Sequence, residues 1–341
     1  MDAYDSVVVA SLEAREVVTR LLTGGLVQQA VSLVARLRVP DLVAEAPLSV
    51  AQLAELTGTD ELALGRLLRM VAALEVLASD DGDHYRLGPL GEPLREGPGS
   101  LRAQAELLTS PHFWAAWGAL DHAVETGESA FRQVNGASIF ELAGSDPEVA
   151  RVFQGWMTAQ TEFQLPLVLE AYDFSRFSRV VDLGGGRGAF LGGILRANPN
   201  THGVLFDIPE VVAQADGLAG VEDRCERVGG DFQAGVPHGG DLYLFKLVLH
   251  NWDDAAVVRM LRNVREAAAP DARVLAVEFV LPEEPRFTYA SLMDLNMLVL
   301  TGGRERTAAE HAALQREAGL EPLPIIPTRG PISLVEALIP S

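Results

Sequence analysis

A single cysteine, Cys225, in 341 residues excludes an intrachain disulfide and a thiolate metal cluster, and it fits a reducing cytoplasm. Basic side chains are scarce: 27 Lys plus Arg face 47 Asp plus Glu, a formal charge of −20 at pH 7. A chain this acidic repels phosphate backbones, so nucleic acid is not an expected partner. No apolar run approaches the ~20 residues that span a bilayer. The opening MDAYDSVVVASLEAREVV carries Asp2 and Asp5 and no basic stretch ahead of an apolar core, so neither a signal peptide nor a membrane partner is expected. Repeats, low-complexity tracts and long linkers are also missing. What remains is a globular composition, 48% hydrophobic and 22% charged, long enough for two domains at about 150 residues each.

Apolar residues at helical spacing from Ser11 to about Ala46 predict two helices, interrupted at Pro40 and Asp41. Ser49 can cap a short helix that Gly58 ends, and Thr59 or Asp60 can cap the next. LEVLAS and HYRLG, flanking the turn Asp80 to Asp83, then read as a hairpin. Helix, turn, helix, hairpin is a winged-helix outline. Its second helix is too apolar for a DNA-reading face, with Leu62, Leu64, Leu67, Leu68, Met70, Val71 and Leu74, which favours a packing or dimerisation module. Residues 100–172 read as helices broken at Gly127, Gly136 and Gly144. Beyond Phe174, SRVVDL, THGVLFD, DLYLFK and ARVLAVEFVL alternate with helical patterns and predict a mostly parallel, doubly wound α/β sheet covered on both faces. The expected domains are 1–100, a winged-helix module; 101–174, a helical bridge; and 175–341, a cofactor-binding catalytic domain.

In VVDLGGGRGAFLGGIL, Asp182 closes an apolar strand, and Gly184, Gly185, Gly186 and Gly188 turn into an apolar helix. Such a loop lets backbone approach a ligand closely. It satisfies both the dinucleotide fingerprint and the acid-x-G-x-G-x-G form of methyltransferases. Asp207 ends the next strand, where an acid can accept ribose hydroxyls, and Asp231 follows the strand after that. Three acids at successive strand tips suit an adenosine with a cationic tail better than a pyrophosphate, which favours S-adenosylmethionine over a nicotinamide cofactor. For Asp231 alone a turn-forming role competes evenly. Lys246, ending DLYLFK, reads as a surface lysine slightly better than as a cofactor neighbour.

LVLHNWDDAAVVRML follows the fourth strand and places His250, Asn251 and Trp252 at the carboxyl edge of the sheet, where ligands bind. A lone histidine beside a tryptophan is ordinarily a satisfied core residue. Two acids shift that balance: Glu278, in the apolar strand LAVEFVL, needs a buried partner, and Glu305 sits in TGGRERT, where a solvated ion pair with Arg304 and Arg306 is the plain alternative. No metal is implied, since His250 lacks a second His or Cys at ligand spacing.

With VVDLGGGRG, LFDIPEV, GDF, FKLVLHNWDD, AVEFVLPEE and MDLNMLVLTGGRERT in this order, the chain resembles the S-adenosylmethionine-dependent O-methyltransferases of the caffeic-acid and hydroxyindole type, bacterial natural-product branch. The resemblance spans about residues 20–340, the winged helix included. It implies a class I methyltransferase, Rossmann-like fold and a homodimer joined through the N-terminal domain. By the same resemblance Asp182, Gly184 and Gly186 belong to the cofactor cradle, Asp207 takes the ribose, and Asp231, Phe232 and Lys246 surround the adenine. It makes His250 the general base, bracketed by Glu278 and Glu305. Phe153, Met157, Gln160, Asn251, Trp252, Met297 and Thr301 fall at the acceptor site of a small phenolic or polyketide-type aromatic. The chain departs from plant members at Asn251, where Asp is common, and by one residue fewer between Met297 and Gly302. Some bacterial relatives of this type hydroxylate, decarboxylate or cyclise instead; they tend to lack the histidine. A nicotinamide-dependent oxidoreductase and a ligand-sensing winged-helix regulator are the more distant alternatives.

Overall fold

The computed structural model describes residues 3–340, with side chains from residue 13 onward. The chain divides into two compact units, Met1–Pro111 and His112–Ser341, so the stretch read as a bridge contributes the helix Arg102–Leu108 to the first unit and the rest to the second.

In the first unit the helix Ala3–Arg36 is followed by the short helix Val39–Leu42. The break is a left-handed Arg38, φ 59°, and Pro40 lies inside the first turn of the short helix, where its missing N–H costs nothing. Ser49 and Gln52 form a reciprocal capping box on Val50–Thr57, Gly58 ends that helix at φ 67°, and Asp60, not Thr59, caps Glu61–Ala73. The wing is a three-stranded antiparallel sheet, with His84–Leu87 between Leu48–Ser49 and Leu77–Ala78. Leu53, Leu64, Leu68, Val71 and Leu77 form its core. The reading of the long helix needs one correction. Its segment Glu13–Arg36 is apolar and long enough to cross a membrane by length and composition. Thr, Gly and Gln residues interleave the apolar ones there, so no unbroken run shows in the sequence, and between Thr19 and Ala35 the only charge is Arg20. Val17, Val18, Leu21, Leu22 and Leu26 are all exposed on it.

The second unit is built on an eight-stranded sheet. Its order is Glu321–Pro322, Ser333–Leu338, Arg273–Glu278, Leu242–Lys246, Arg179–Leu183, His202–Asp207, Cys225–Gly229, with Ile326–Pro327 also paired to Ser333–Leu338. The five strands from Arg273 to Gly229 are parallel, and Ser333–Leu338 runs antiparallel. Residues alternate between two cores. Val181, Leu183, Tyr243 and Val274 pack with the helix Asp254–Ala267, whereas Val180, Leu205, Leu244 and Leu275 pack with Ala189–Ala197. The order reverses between Arg179–Leu183 and Leu242–Lys246, and a crevice opens at the carboxyl ends of strands at such a point. Two boundaries differ from expectation. ARVLAVEFVL splits at Phe279 into Arg273–Glu278 and Val280–Leu281. Gly127 and Gly136 end helices at positive φ, but Gly144 lies inside Ile139–Ser145, which stops where Asp146 caps the next helix.

Candidate active site

The glycine loop leaves its strand after Leu183, next to Asp182, and folds back on the neighbouring strand end. Gly184 sits at φ +72°, and a Cβ there would stand 2.8 Å from Val248 and 3.5 Å from the Phe232 ring. Gly186, at φ +58°, faces open space. Its N–H donates to Asp207 Oδ2 at 2.8 Å, while Ile208 N–H donates to Asp207 Oδ1 at 2.8 Å. Each Asp207 oxygen thus keeps a free lone pair at the strand tip, the requirement for accepting a vicinal diol. Burial raises the Asp207 carboxyl above its ordinary range, against those two N–H groups.

Asp182 is almost wholly buried, and neither of its carboxylate oxygens has a hydrogen-bond partner. Burial pushes it up to about 7, with Lys246 opposing the shift and Asp207 adding to it. Lys246 is not a surface residue: it is buried, with Nζ 5.6 Å from the centroid of the Phe190 ring. The surface reading fails because the register places Lys246 on the same face of the sheet as Leu242 and Leu244, under the helix Ala189–Ala197. Burial pulls its ammonium down to about 8, against the carboxylates of Asp182 and Glu278. An orphaned carboxylate beside a glycine cradle fits a ligand that carries donors or positive charge. Asp231 is exposed, and its Oδ1 accepts the Gln233 N–H at 2.8 Å, so the turn-forming role is real. Phe232 meets Trp252 edge to face at 5.8 Å.

His250 is 7% exposed on the short turn Leu249–Asn251. Its Nδ1 lies 2.8 Å from Glu305 Oε1 and 3.6 Å from Glu278 Oε2. Glu278 Oε1 accepts the N–H groups of Val248 and Leu249 at 3.2 and 3.0 Å, which fastens the turn to the end of its strand. Burial alone would lower the imidazole; Glu305 and then Glu278 outweigh it and raise His250 above 6.5. Burial drives Glu278 up to about 7, against the pull of His250. The three ligand-type groups lie within 4.8 Å of one another, and a proton on Nδ1 shared with Glu305 accounts for the closest pair.

The expected alternative for Glu305, an ion pair with its neighbouring arginines, does not occur. Arg306, 1% exposed, binds Asp254 Oδ1 and the carbonyls of Leu249 and Trp252, and Arg304 pairs with Asp254 and Glu310. Arg304 N–H also donates to the His250 carbonyl at 2.8 Å, and a Cβ on Gly303 would stand 2.0 Å from that oxygen. Residues 302–306 therefore clamp the His250 turn. Asp254, Arg306 and Gly303 went unread as site residues; the signal was the pairing of GGRER with HNWDD, visible only once the two segments meet. Leu247, at φ 54°, adds backbone strain just before the turn, a feature that clusters at functional sites.

On the acceptor side, Phe153 lies on the helix Pro147–Ala171 with its ring 5.9 Å from Phe140 and 6.1 Å from Trp156. Gln160 Oε1 accepts Gln164 Nε2 at 3.0 Å, and Met157 carbonyl accepts the Thr161 hydroxyl. Met297 is buried, Thr301 Oγ1 bonds its carbonyl, and Asn251 turns its amide onto the Leu247 and Val248 carbonyls. The buried Asn296, bonded by Trp117 Nε1 at 3.2 Å, was also missed. A cavity of about 530 Å³ is lined by Asp294, Leu298, Arg304, Glu305 and Glu310 among others.

Residues 117–321 match the O-methyltransferase domain family and residues 19–95 the O-methyltransferase dimerisation domain. A phenazine O-methyltransferase from Lysobacter antibioticus is 40% identical over 94% of this chain and 95% of its own length. The 3-amino-4-hydroxybenzoate 4-O-methyltransferase of Streptomyces cremeus is 41% identical over 88% of this chain and 84% of its own. The crystal structure of human N-acetylserotonin methyltransferase in complex with S-adenosylmethionine superimposes with a TM-score of 0.87, at 27% identity, covering 96% of this chain and 98% of that one. These matches bear out the doubly wound fold with its N-terminal dimerisation module and the choice of S-adenosylmethionine, and the chain belongs to the S-adenosylmethionine-dependent O-methyltransferases.

Proposed function

We propose that the enzyme methylates a hydroxyl of a small aromatic, phenolic or polyketide-type natural-product intermediate, with His250 as general base. The observation that carries this is His250 itself: Nδ1 is held by Glu305 at 2.8 Å, and among the described residues Nε2 takes no hydrogen bond, so that nitrogen is free to receive a proton. Asp182, Gly184 and Gly186 cradle the methionine part, Asp207 holds the ribose, and Asp231, Phe232 and Lys246 flank the adenine. Phe153, Met157, Gln160, Asn251, Trp252, Met297 and Thr301 line the acceptor site. Relatives named for a phenazine and a hydroxybenzoate support a flat aromatic acceptor.

When bound, S-adenosylmethionine supplies a sulfonium methyl, so that a C–O bond forms as the C–S bond breaks and S-adenosylhomocysteine remains. His250 Nε2 takes the hydroxyl proton. A phenol near pKa 10 and an ordinary histidine near 6.5 differ by ~3.5 units, about 5 kcal/mol for complete transfer beforehand. The two carboxylates narrow that gap by raising the imidazole, and removing the proton as the methyl transfers avoids the rest. Alignment of hydroxyl and methyl in a dry crevice contributes the remainder.

The dimerisation match and the exposed face of Val17, Val18, Leu21, Leu22 and Leu26 support a homodimer joined through the N-terminal unit. We assign the apolar length of Glu13–Arg36 to that interface rather than to a bilayer, and place the enzyme in the cytoplasm with neither membrane nor nucleic acid as partner. The test is His250→Ala with labelled methyl donor and a panel of phenols. Turnover should fall about 10²- to 10⁴-fold while calorimetric affinity for S-adenosylhomocysteine stays within a few-fold. Wild-type turnover would remove His250 from the reaction.

A further inference from the structure

The helix Pro147–Ala171 carries a seam of polar side chains of which the acceptor site proposed above uses Gln160 alone, and without a stated role. Trp156, Gln160 and Gln164 follow at four-residue spacing, which stacks them on one face about a turn apart. Val152 and Val168 continue the same face on either side, and both are buried. Polar groups set into an apolar face need partners. Gln164 is 0% exposed, and among the described residues its side chain makes one hydrogen bond, Nε2 to Gln160 Oε1. Trp156 Nε1, Gln160 Nε2 and Gln164 Oε1 are left buried and unpartnered. The unbonded NH₂ of the pair is on Gln160, one turn from Trp156, and the unbonded oxygen is on Gln164; exchanging O and N in both amides would keep one of each and move the NH₂ to Gln164. Trp156 can only donate, so its complement must be an acceptor atom. Asn296 and Asn263 of this unit are bonded, Asn296 accepting from Trp117 and Asn263 donating to the Phe232 and Gln233 carbonyls, and Gln233, whose Nε2 is also without a partner, stands alone rather than in a seam.

Two neighbouring facts place this seam. The Trp156 ring continues the aromatic wall of Phe153 and Phe140, which suits a flat ring. On the same helix Gln154 Oε1 accepts Arg187 Nη1 of the glycine loop at 3.0 Å, which ties the helix to the cofactor cradle. We infer that Trp156 and Gln160 form a two-donor recognition site for a carboxylate or carbonyl oxygen carried on the acceptor ring beside the methylated hydroxyl. Gln164 fixes the Gln160 amide and offers its own oxygen to a hydroxyl or amine of the same ligand. This rests on the methyl-transfer reading and narrows its acceptors to phenols with an adjacent oxygen acceptor.

The probes are 3-hydroxy-2-naphthoate and 2-naphthol, which differ by the carboxylate alone, titrated calorimetrically into the full-length enzyme saturated with S-adenosylhomocysteine. The naphthoate should bind at least tenfold more tightly. Trp156→Phe, which keeps the ring and removes the N–H, and Gln160→Leu should each cut the naphthoate's affinity tenfold or more and bring it toward that of 2-naphthol. Retained affinity for S-adenosylhomocysteine shows that the variants fold, and Gln160→Glu, which swaps donors for a carboxylate, provides a second variant at the same position. Equal affinity of the two probes, binding of neither, or an undiminished preference in the variants overturns the inference. Methyl transfer to phenols without preference for an adjacent oxygen would leave the general reaction standing and remove only this site.

Discussion

Glu305 and Glu278 divide the task of holding His250. Glu305 bonds Nδ1 directly, and Glu278, 3.6 Å away, anchors the turn through Val248 and Leu249. A base works only when deprotonated, so with His250 in the proposed role the raised imidazole predicts that kcat/KM climbs with pH through a value above 6.5. Glu305→Gln removes the larger carboxylate contribution, so the acidic limb of the profile should move to lower pH, with kcat reduced about tenfold or more. A limb that stays in place would assign it to another group. On the cofactor side the proposed ribose acceptor is Asp207. Asp207→Ala should weaken S-adenosylhomocysteine at least tenfold in calorimetric titration, because it removes the strand-tip acceptors and also the Gly186 N–H anchor. Unchanged affinity would move the ribose elsewhere. Glu278 and Asp207 announce themselves in the sequence as lone acids in or at the end of apolar strands, whereas Glu305, in TGGRERT, does not. Lys246 does not, since a lysine closing a strand looks the same whether solvent or a helix covers it.

At the scale of elements, the parallel strands and their carboxyl-end residues were legible because period, glycine loop and acids all point one way. The antiparallel strand Ser333–Leu338 was not: its pattern, SLVEAL, buries Glu336 among apolar neighbours, and that glutamate accepts from Tyr172, Arg176 and Arg273. Gly144 misled because the helix Ile139–Ser145 runs through it; the break comes at Asp146, whose carboxylate caps the next helix. The clamp around the His250 turn depends on Gly303. Gly303→Ala puts a methyl against a backbone oxygen that cannot yield without moving the base, so turnover should drop at least tenfold while the thermal midpoint shifts by only a few degrees.

The helix Ala308–Glu317 holds a second buried histidine that has no catalytic place. His311 Nε2 has no partner, and burial, reinforced by Arg306, lowers the ring to about 4. The fold keeps it neutral, whereas the unfolded chain protonates it below about 6.5. Its stabilising contribution is therefore complete above 6.5 and is lost as pH falls from there toward 4, by up to about 3 kcal/mol. Urea unfolding at pH 7.5 and pH 5 should show this loss in the wild type and a smaller one in His311→Leu. Equal slopes would mean that the ring finds a proton acceptor when folded.

Across the whole molecule, charge and apolar surface oppose each other. Each copy carries −20, so two copies repel at long range, and the proposed dimer draws its attraction from the exposed leucines and valines of the long N-terminal helix. Repulsion between like net charges fades once the screening length falls below the separation, about 10 Å at 0.1 M salt. Burial of apolar area does not fade in this way and is strengthened modestly by excluded salts. The dimer should accordingly tighten as sodium chloride rises from about 20 to 200 mM, read by sedimentation equilibrium. Leu21→Asp with Leu22→Asp should yield monomers at both salt concentrations, because it adds like charge and removes apolar surface on the same turn. Weakening with salt would locate the contact at paired charges such as Arg20 and Glu16 rather than on the leucine face, and dimers that survive the double substitution would place the interface on another element.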